Sequence, residues 1–228
     1  MSKIWYLSPS NQAANRGING YGSEKDQMNL LVAEIVPHLD RAGVSFHVGD
    51  PDITIQQRAK ESNEMKARFH LALHSNAGGY GKACGPVAYY YSDAGKTFGE
   101  MAVDALLGIG QANNRAENVK QETGFYELRK TIAPACLLEV DFHDSPVGVE
   151  FLTKRRSEIA EAIARVIIQC DGKDFVPITL GESLDICKKW GLFDCESGNY
   201  RWKDPLTREE AAFLAVRLIN LIGREVKA

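Results

Sequence analysis

An α/β fold is what this 228-residue sequence predicts: a twisted, mostly parallel sheet with helices on both faces, plus a small helical domain at the C-terminus. Three observations carry that prediction. Short apolar runs alternate with amphipathic segments from the start to about residue 170, the pattern of strands and crossover helices layered around one sheet. The alternation stops near Asp171-Gly172-Lys173, and no strand pattern follows, which divides the chain into domains over 1–172 and 173–228. The composition, 44% hydrophobic and 25% charged, is that of an ordinary globular protein with enough apolar surface for a core.

The elements follow in order. KIWYL (3–7) is a short apolar strand ended by Ser8-Pro9, and a long loop rich in Asn, Gly, Ser and Gln comes next. From Ser23 an N-cap serine, a polar first turn and apolar residues at 28, 31, 32, 35, 36 and 39 mark an amphipathic helix closed by Gly43, with Pro37 kinking its last turn. VSFHV (44–48) reads as a strand and 53–66 as a polar helix. In FHLALH, alternation places His70, Ala72 and His74 on one face and Phe69, Leu71 and Leu73 on the other. A strand at 85–92, a helix over about 96–110, a polar loop, the apolar run PACLLEV (134–140) and one helix from Ser145 or Pro146 to about Cys170 complete the first domain.

The net charge of −3 argues against nucleic acid or an anionic membrane surface as a partner. No apolar run reaches the roughly 18–20 residues of a membrane span, and MSKIWYLSPS has neither a basic leader nor a cleavage site. A soluble protein made in the cytoplasm without a signal peptide is expected. Five cysteines without a C-x-x-C pair suggest buried reduced thiols.

Ligand sites in such sheets lie beyond the carboxyl ends of the strands, and four groups fall there: Asn11/Gln12, Glu24, His74 and the cluster from Glu139 to Asp144. Each has an ordinary structural explanation. Glu24 suits the positive end of a helix dipole, although its spacing from Met28 and Leu31 puts it on the core-facing stripe, where a carboxylate wants a cation. Glu139 ends an apolar strand, a costly place for a charge unless it is paired, for example with Arg58 or Arg129, or protonated. His143 could simply bond Asp141 or Asp144, while His38, His47 and His70 have no acidic partner visible in the sequence. Taken together, a glutamate and two histidines suffice for a catalytic zinc with one open position, and a second carboxylate could move the proton.

Strand, loop, a helix opening with an acidic residue, HSNA at the end of a central strand and LLEVDF near the last strand: this order, over residues 3–170, resembles the zinc-dependent N-acetylmuramoyl-L-alanine amidases. The resemblance implies that Glu24 and His74 are ligands of Zn2+ and Glu139 the catalytic carboxylate; Asn76 and Arg58 are expected as substrate contacts. It implies hydrolysis of peptidoglycan between N-acetylmuramic acid and L-alanine. One departure matters: the family's first ligand is a histidine in a D-x-G-H-G-G turn, and here LSPSNQ puts Asn11 in its place. Either His143 completes the site, which is the favoured expectation, or Asn11 or Gln12 ligates through its oxygen, or the metal site is lost. A neutral amide is a poor zinc ligand.

The tail WGLFDCESGNYRWKDPLTREEAAFLAVRLI resembles part of an S-layer homology repeat, with a capping box from Thr207 to Glu210. It implies binding of a secondary cell-wall polymer; a helical hairpin used for self-association, hence a homo-oligomer, is equally expected. The leading expectation is an endolysin of phage type acting on the wall after release. The alternatives are a zinc peptidase acting on stem peptides and a non-catalytic wall-binding protein with a degenerate site.

Overall fold

A computed structural model describes residues 4–78 and 81–177. The chain divides into two compact units, Met1–Val176 and Pro177–Ala228. The readings made for the tail, including the helical hairpin and the S-layer resemblance, lie outside the described residues.

The first unit is built on one sheet of six strands: β1 (Trp5–Pro9), β2 (Phe46–Val48), β3 (Phe69–Asn76), β4 (Val87–Tyr90), β5 (Val119–Gln121) and β6 (Ala135–Phe142). Their order is β2-β1-β3-β6-β4-β5. All neighbours are parallel except β4 and β6, so the sheet is mixed and mostly parallel. The connecting helices are α1 (Glu24–Arg41), α2 (Ile55–Glu64), α3 (Asp93–Gly108), α4 (Tyr126–Lys130), α5 (Pro146–Lys154) and α6 (Arg156–Cys170).

Alternation along β3 divides the interior as the sequence implies. Phe69, Leu71 and Leu73 join Trp5, Leu7, Leu138 and Val140 in the main core, against Met28, Leu31 and Ile35 of α1, Phe98 of α3 and Ile159 and Ile163 of α6. Ala72 faces the other way, into a small cluster with Leu128 of α4, Ala135 and Leu137. The main core face is almost wholly apolar and the second carries the chemistry. Helix α3 lies close on the sheet because it has no side chain where it crosses β6: a Cβ at Gly95 would stand 2.2 Å from the carbonyl oxygen of Ala135.

Local signals explain the helix starts. Ser23 caps α1 by accepting from the Asp26 amide, and Thr54 with Gln57 forms a reciprocal capping box on α2. Two expectations need correction. The region read as a polar loop after α3 contains β5 and α4, too short at three and five residues to show a period. The expected single helix to Cys170 is broken at Arg155, whose backbone leaves the helical region (φ −118°, ψ 22°) while its guanidinium bonds Glu158 and the Ile109 carbonyl. Among the described residues no helix is long and apolar enough to cross a membrane.

Candidate functional site

Strands β3 and β6 are parallel neighbours, and their register pairs His74 with Glu139. Paired residues of adjacent strands share a face about 4.8 Å apart, so the imidazole and the carboxyl stand side by side on the face of Ala72, at the carboxyl end of the sheet. Just beyond them Asn76 pairs with Phe142, so β6 advances three residues where β3 advances two. This bulge turns Asp141 inward, where its carboxylate accepts from Gln111 Nε2 at 2.7 Å, the Phe142 amide at 2.7 Å and the Gly85 amide at 3.1 Å.

The third member comes from α1. Glu24, on the buried stripe with Met28 and Leu31, places Oε1 2.7 Å from His74 Nδ1. Burial pulls the Glu24 carboxyl up, but the hydrogen bond and charge of His74, with further bonds from Asn15 and Ser10, outweigh it and hold the group below the usual carboxylate range. Burial likewise pulls His74 down, and the Glu24 bond with the charges of Glu139 and Glu24 pushes it above the ordinary imidazole value. Glu139 behaves oppositely. Burial drives its carboxyl up to about 7, against the opposing charge of His74 and with help from Glu24. Its Oε2 is shielded from solvent and has no hydrogen-bond partner, and the same is true of His74 Nε2. Two unpaired polar atoms on adjacent side chains are what a bound ligand or substrate satisfies.

The structure places the remaining expected residues as follows. Asn11 turns away, donating from Nδ2 to the Ile53 carbonyl at 2.9 Å. His143 does not join Glu24 and His74. Tyr21 donates to Ser75 Oγ at 2.8 Å, Ser75 Oγ and His143 Nδ1 are hydrogen-bonded at 2.9 Å, and the imidazole stacks on the Tyr21 ring. Among the described residues His143 forms no metal-holding group with Glu24 and His74, and that expected set is corrected. Gly17 makes this cluster possible, since a Cβ there would lie 2.5 Å from Tyr21 Cδ1 and 2.7 Å from the His143 carbonyl oxygen. Arg58 is also corrected as a substrate contact. It is fully buried and donates to the Asp50 carbonyl from Nε and Nη2 and to Ser8 Oγ and the Pro9 carbonyl from Nη1, clamping the loop after β2 to the end of β1. It is therefore not a counter-ion for Glu139. Asn76 remains at the rim, half-buried, with its Oδ1 accepting from the Ala77 amide at 2.8 Å and a hydrogen bond to the Tyr89 hydroxyl.

Sequence reasoning missed a second buried pair on the same face. His70 Nε2 lies 3.0 Å from Glu127 Oε1, which also accepts from Ser8 Oγ at 2.6 Å, and the His70 ring stacks on Tyr6. Its acidic partner sits in five-residue α4, which has no period to reveal it. Tyr89, also unanticipated, lies on β4 across from Leu137 and packs edge-on against Phe125.

Among the described residues no group of three His, Cys, Asp or Glu converges on one point. Glu24 and His74 are the two side chains there with the chemistry to hold a divalent cation, and the amide nitrogen of Gln12 lies 3.3 Å from His74 Nδ1.

The family described as N-acetylmuramoyl-L-alanine amidase matches residues 9–169. The chain is 26% identical over 174 residues to N-acetylmuramoyl-L-alanine amidase CwlM of Bacillus licheniformis, covering 72% of this chain and 65% of that protein. A sporulation-specific N-acetylmuramoyl-L-alanine amidase of Bacillus subtilis (strain 168) is 26% identical over 171 residues, with the same coverage. The chain thus spans about 65% of the length of these curated relatives. In fold it is similar to N-acetylmuramoyl-L-alanine amidase AmiC2 of Nostoc punctiforme, with a TM-score of 0.66 at 22% identity, over 75% of this chain and 97% of that one.

Proposed function

The chain belongs to the N-acetylmuramoyl-L-alanine amidase family, and from that premise we propose that it hydrolyses the amide bond between N-acetylmuramic acid and the L-alanine of the peptidoglycan stem peptide. The observation that carries the reading is Glu139: a shielded carboxyl oxygen without a partner, brought up to about 7 by burial, beside a histidine already bound to a second carboxylate. A general acid–base works best when its pKa lies near the working pH, and two carboxyls shifted in opposite directions divide the labour.

Glu139 takes a proton from the attacking water as the water oxygen bonds to the carbonyl carbon. It returns that proton to the leaving nitrogen as the C–N bond breaks. Glu24 stays ionised and, without a cation, holds His74 by its Nδ1. A zinc ion held by Glu24 and His74 would polarise the scissile carbonyl and acidify the water. Asn76, at the rim, is placed to bond the substrate. The wall is the place of action because the substrate is there, and use of the activity in lysis, as an endolysin, belongs to the same proposal.

The test is product analysis on purified peptidoglycan. New L-alanine amino termini without peptide-bond cleavage are expected, and Glu139→Ala should remove turnover while zinc content is kept. Cleavage within the stem peptide would make the protein a peptidase instead. Wall binding without any cleavage would make it a non-catalytic wall protein.

A further inference from the structure

In sheet order β6 lies between β3 and β4, so Glu139 has His74 on one side and Val87 on the other. Tyr89, two residues beyond Val87, starts from the same face beside Leu137. Its ring does not stay there. It packs on the cluster of Ala72, Leu128 and Leu137 and also on that of Ala83, Val87 and Phe142, and its hydroxyl is hydrogen-bonded to the side chain of Asn76 on β3. Asn76 pairs with Phe142, past the His74–Glu139 pair. A side chain that leaves β4 beside Leu137 and ends at Asn76, two strand spacings of about 4.8 Å away, has to cross β6 over Glu139.

Asn76 sets the polarity at the far end. Its Oδ1 accepts from the Ala77 amide at 2.8 Å, so the group it turns to Tyr89 is the Nδ2 donor, and the phenol oxygen accepts. That leaves the phenol proton to be given elsewhere. Burial first, and then the charge of Glu139, raises the hydroxyl above the ordinary phenol value against Arg115 and the Asn76 bond, so the group stays a neutral donor. Phe125 packs edge-on against the ring, with centroids 5.1 Å apart, and holds it in place. A fixed O–H donor therefore stands half-buried beside the carboxyl that handles the proton.

We infer that Tyr89 is a further catalytic residue, whose phenol donates a hydrogen bond to the scissile carbonyl oxygen while Glu139 drives water onto the adjoining carbon. This rests on the amidase reading given above. Negative charge builds on that oxygen as the water oxygen bonds to the carbonyl carbon, and it drains away as the C–N bond breaks. A donor already aimed at the oxygen stabilises the charged stage more than the bound amide. The proton stays on Tyr89 throughout, and the proton taken from water still passes through Glu139 to the leaving nitrogen.

Tyr89→Phe keeps the ring and its packing on Phe125 and removes only the donor. Steady-state release of L-alanine amino termini from soluble muropeptides by the zinc-loaded full chain should show kcat lower by roughly a hundredfold, with KM within about twofold of the wild type. Zinc content should be unchanged. Tyr91→Phe, two residues on and exposed, should keep the wild-type kcat. An unchanged kcat in Tyr89→Phe overturns the inference. A raised KM at unchanged kcat overturns it too, since the phenol would then hold bound substrate and reacting substrate equally, and so does an equal loss in Tyr91→Phe. Failure of the amidase reading looks different: a wild type that releases no L-alanine termini removes both, whereas a wild type that releases them no faster than Tyr89→Phe removes the role of the phenol alone.

Discussion

Replacing Glu139 with glutamine keeps the shape of the side chain and removes its titration. Burial raises this carboxyl from 4.5 to about 7 in the folded protein. Well below 4.5 it is neutral in folded and unfolded chains alike, and it leaves stability untouched. As pH rises from there the unfolded chain ionises first, so stability is lost progressively until the pH passes about 7. The gap of 7 − 4.5 = 2.5 pH units, at about 1.36 kcal/mol each, amounts to about 3 kcal/mol. In a folded unit of this size each kcal/mol moves Tm by about 2–4 °C, so Glu139→Gln should melt about 6–12 °C above the wild type near pH 8. The difference should shrink steadily as the pH is lowered to about 5. Calorimetric melts of chelator-treated wild type and variant across that range measure it. A difference that does not change with pH would show that Glu139 ionises normally, and the assignment of its acid–base role would go with it.

Glu127→Gln removes one partner of the buried His70 pair and should cost about 3–5 kcal/mol at neutral pH, read by urea denaturation. Because burial of Glu127 is outweighed by its bonds to His70 and Ser8 and its carboxyl lies below the usual range, the wild-type advantage should fade as pH drops below 4.5, the reverse of Glu139. Arg58→Met leaves the Asp50 and Pro9 carbonyls without their donor and should lower stability by about 2 kcal/mol or more. A raised KM with unchanged stability would instead restore Arg58 as a substrate contact.

The sheet was legible because its strands are apolar and alternate. Period 2 in FHLALH gives the two faces of β3 correctly, and the helical stripe gives the burial of Glu24. What the sequence conceals is where the same-face neighbours come from. The partner of His70 is 57 residues away in a single helical turn and a half. The proximity of FHDSP to Glu139 suggested that His143 would return to the site, but nothing local shows that Tyr21 and Ser75 claim its ring. Arg58 reads as one more polar residue of an amphipathic helix, yet three backbone and side-chain acceptors gather around it from β1 and the loop before α2. Helix and strand periods report the direction of a side chain, and pairing between distant polar groups leaves no period.

The two walls of the site differ in mechanical origin. Glu139 and His74 are fixed by the repeat distance of adjoining strands in the middle of a hydrogen-bonded lattice, whereas Gln12 hangs from an irregular surface excursion between β1 and α1. Side chains can therefore be exchanged on the excursion without shifting the strand-borne pair, and that half of the apparatus is inherited as a unit.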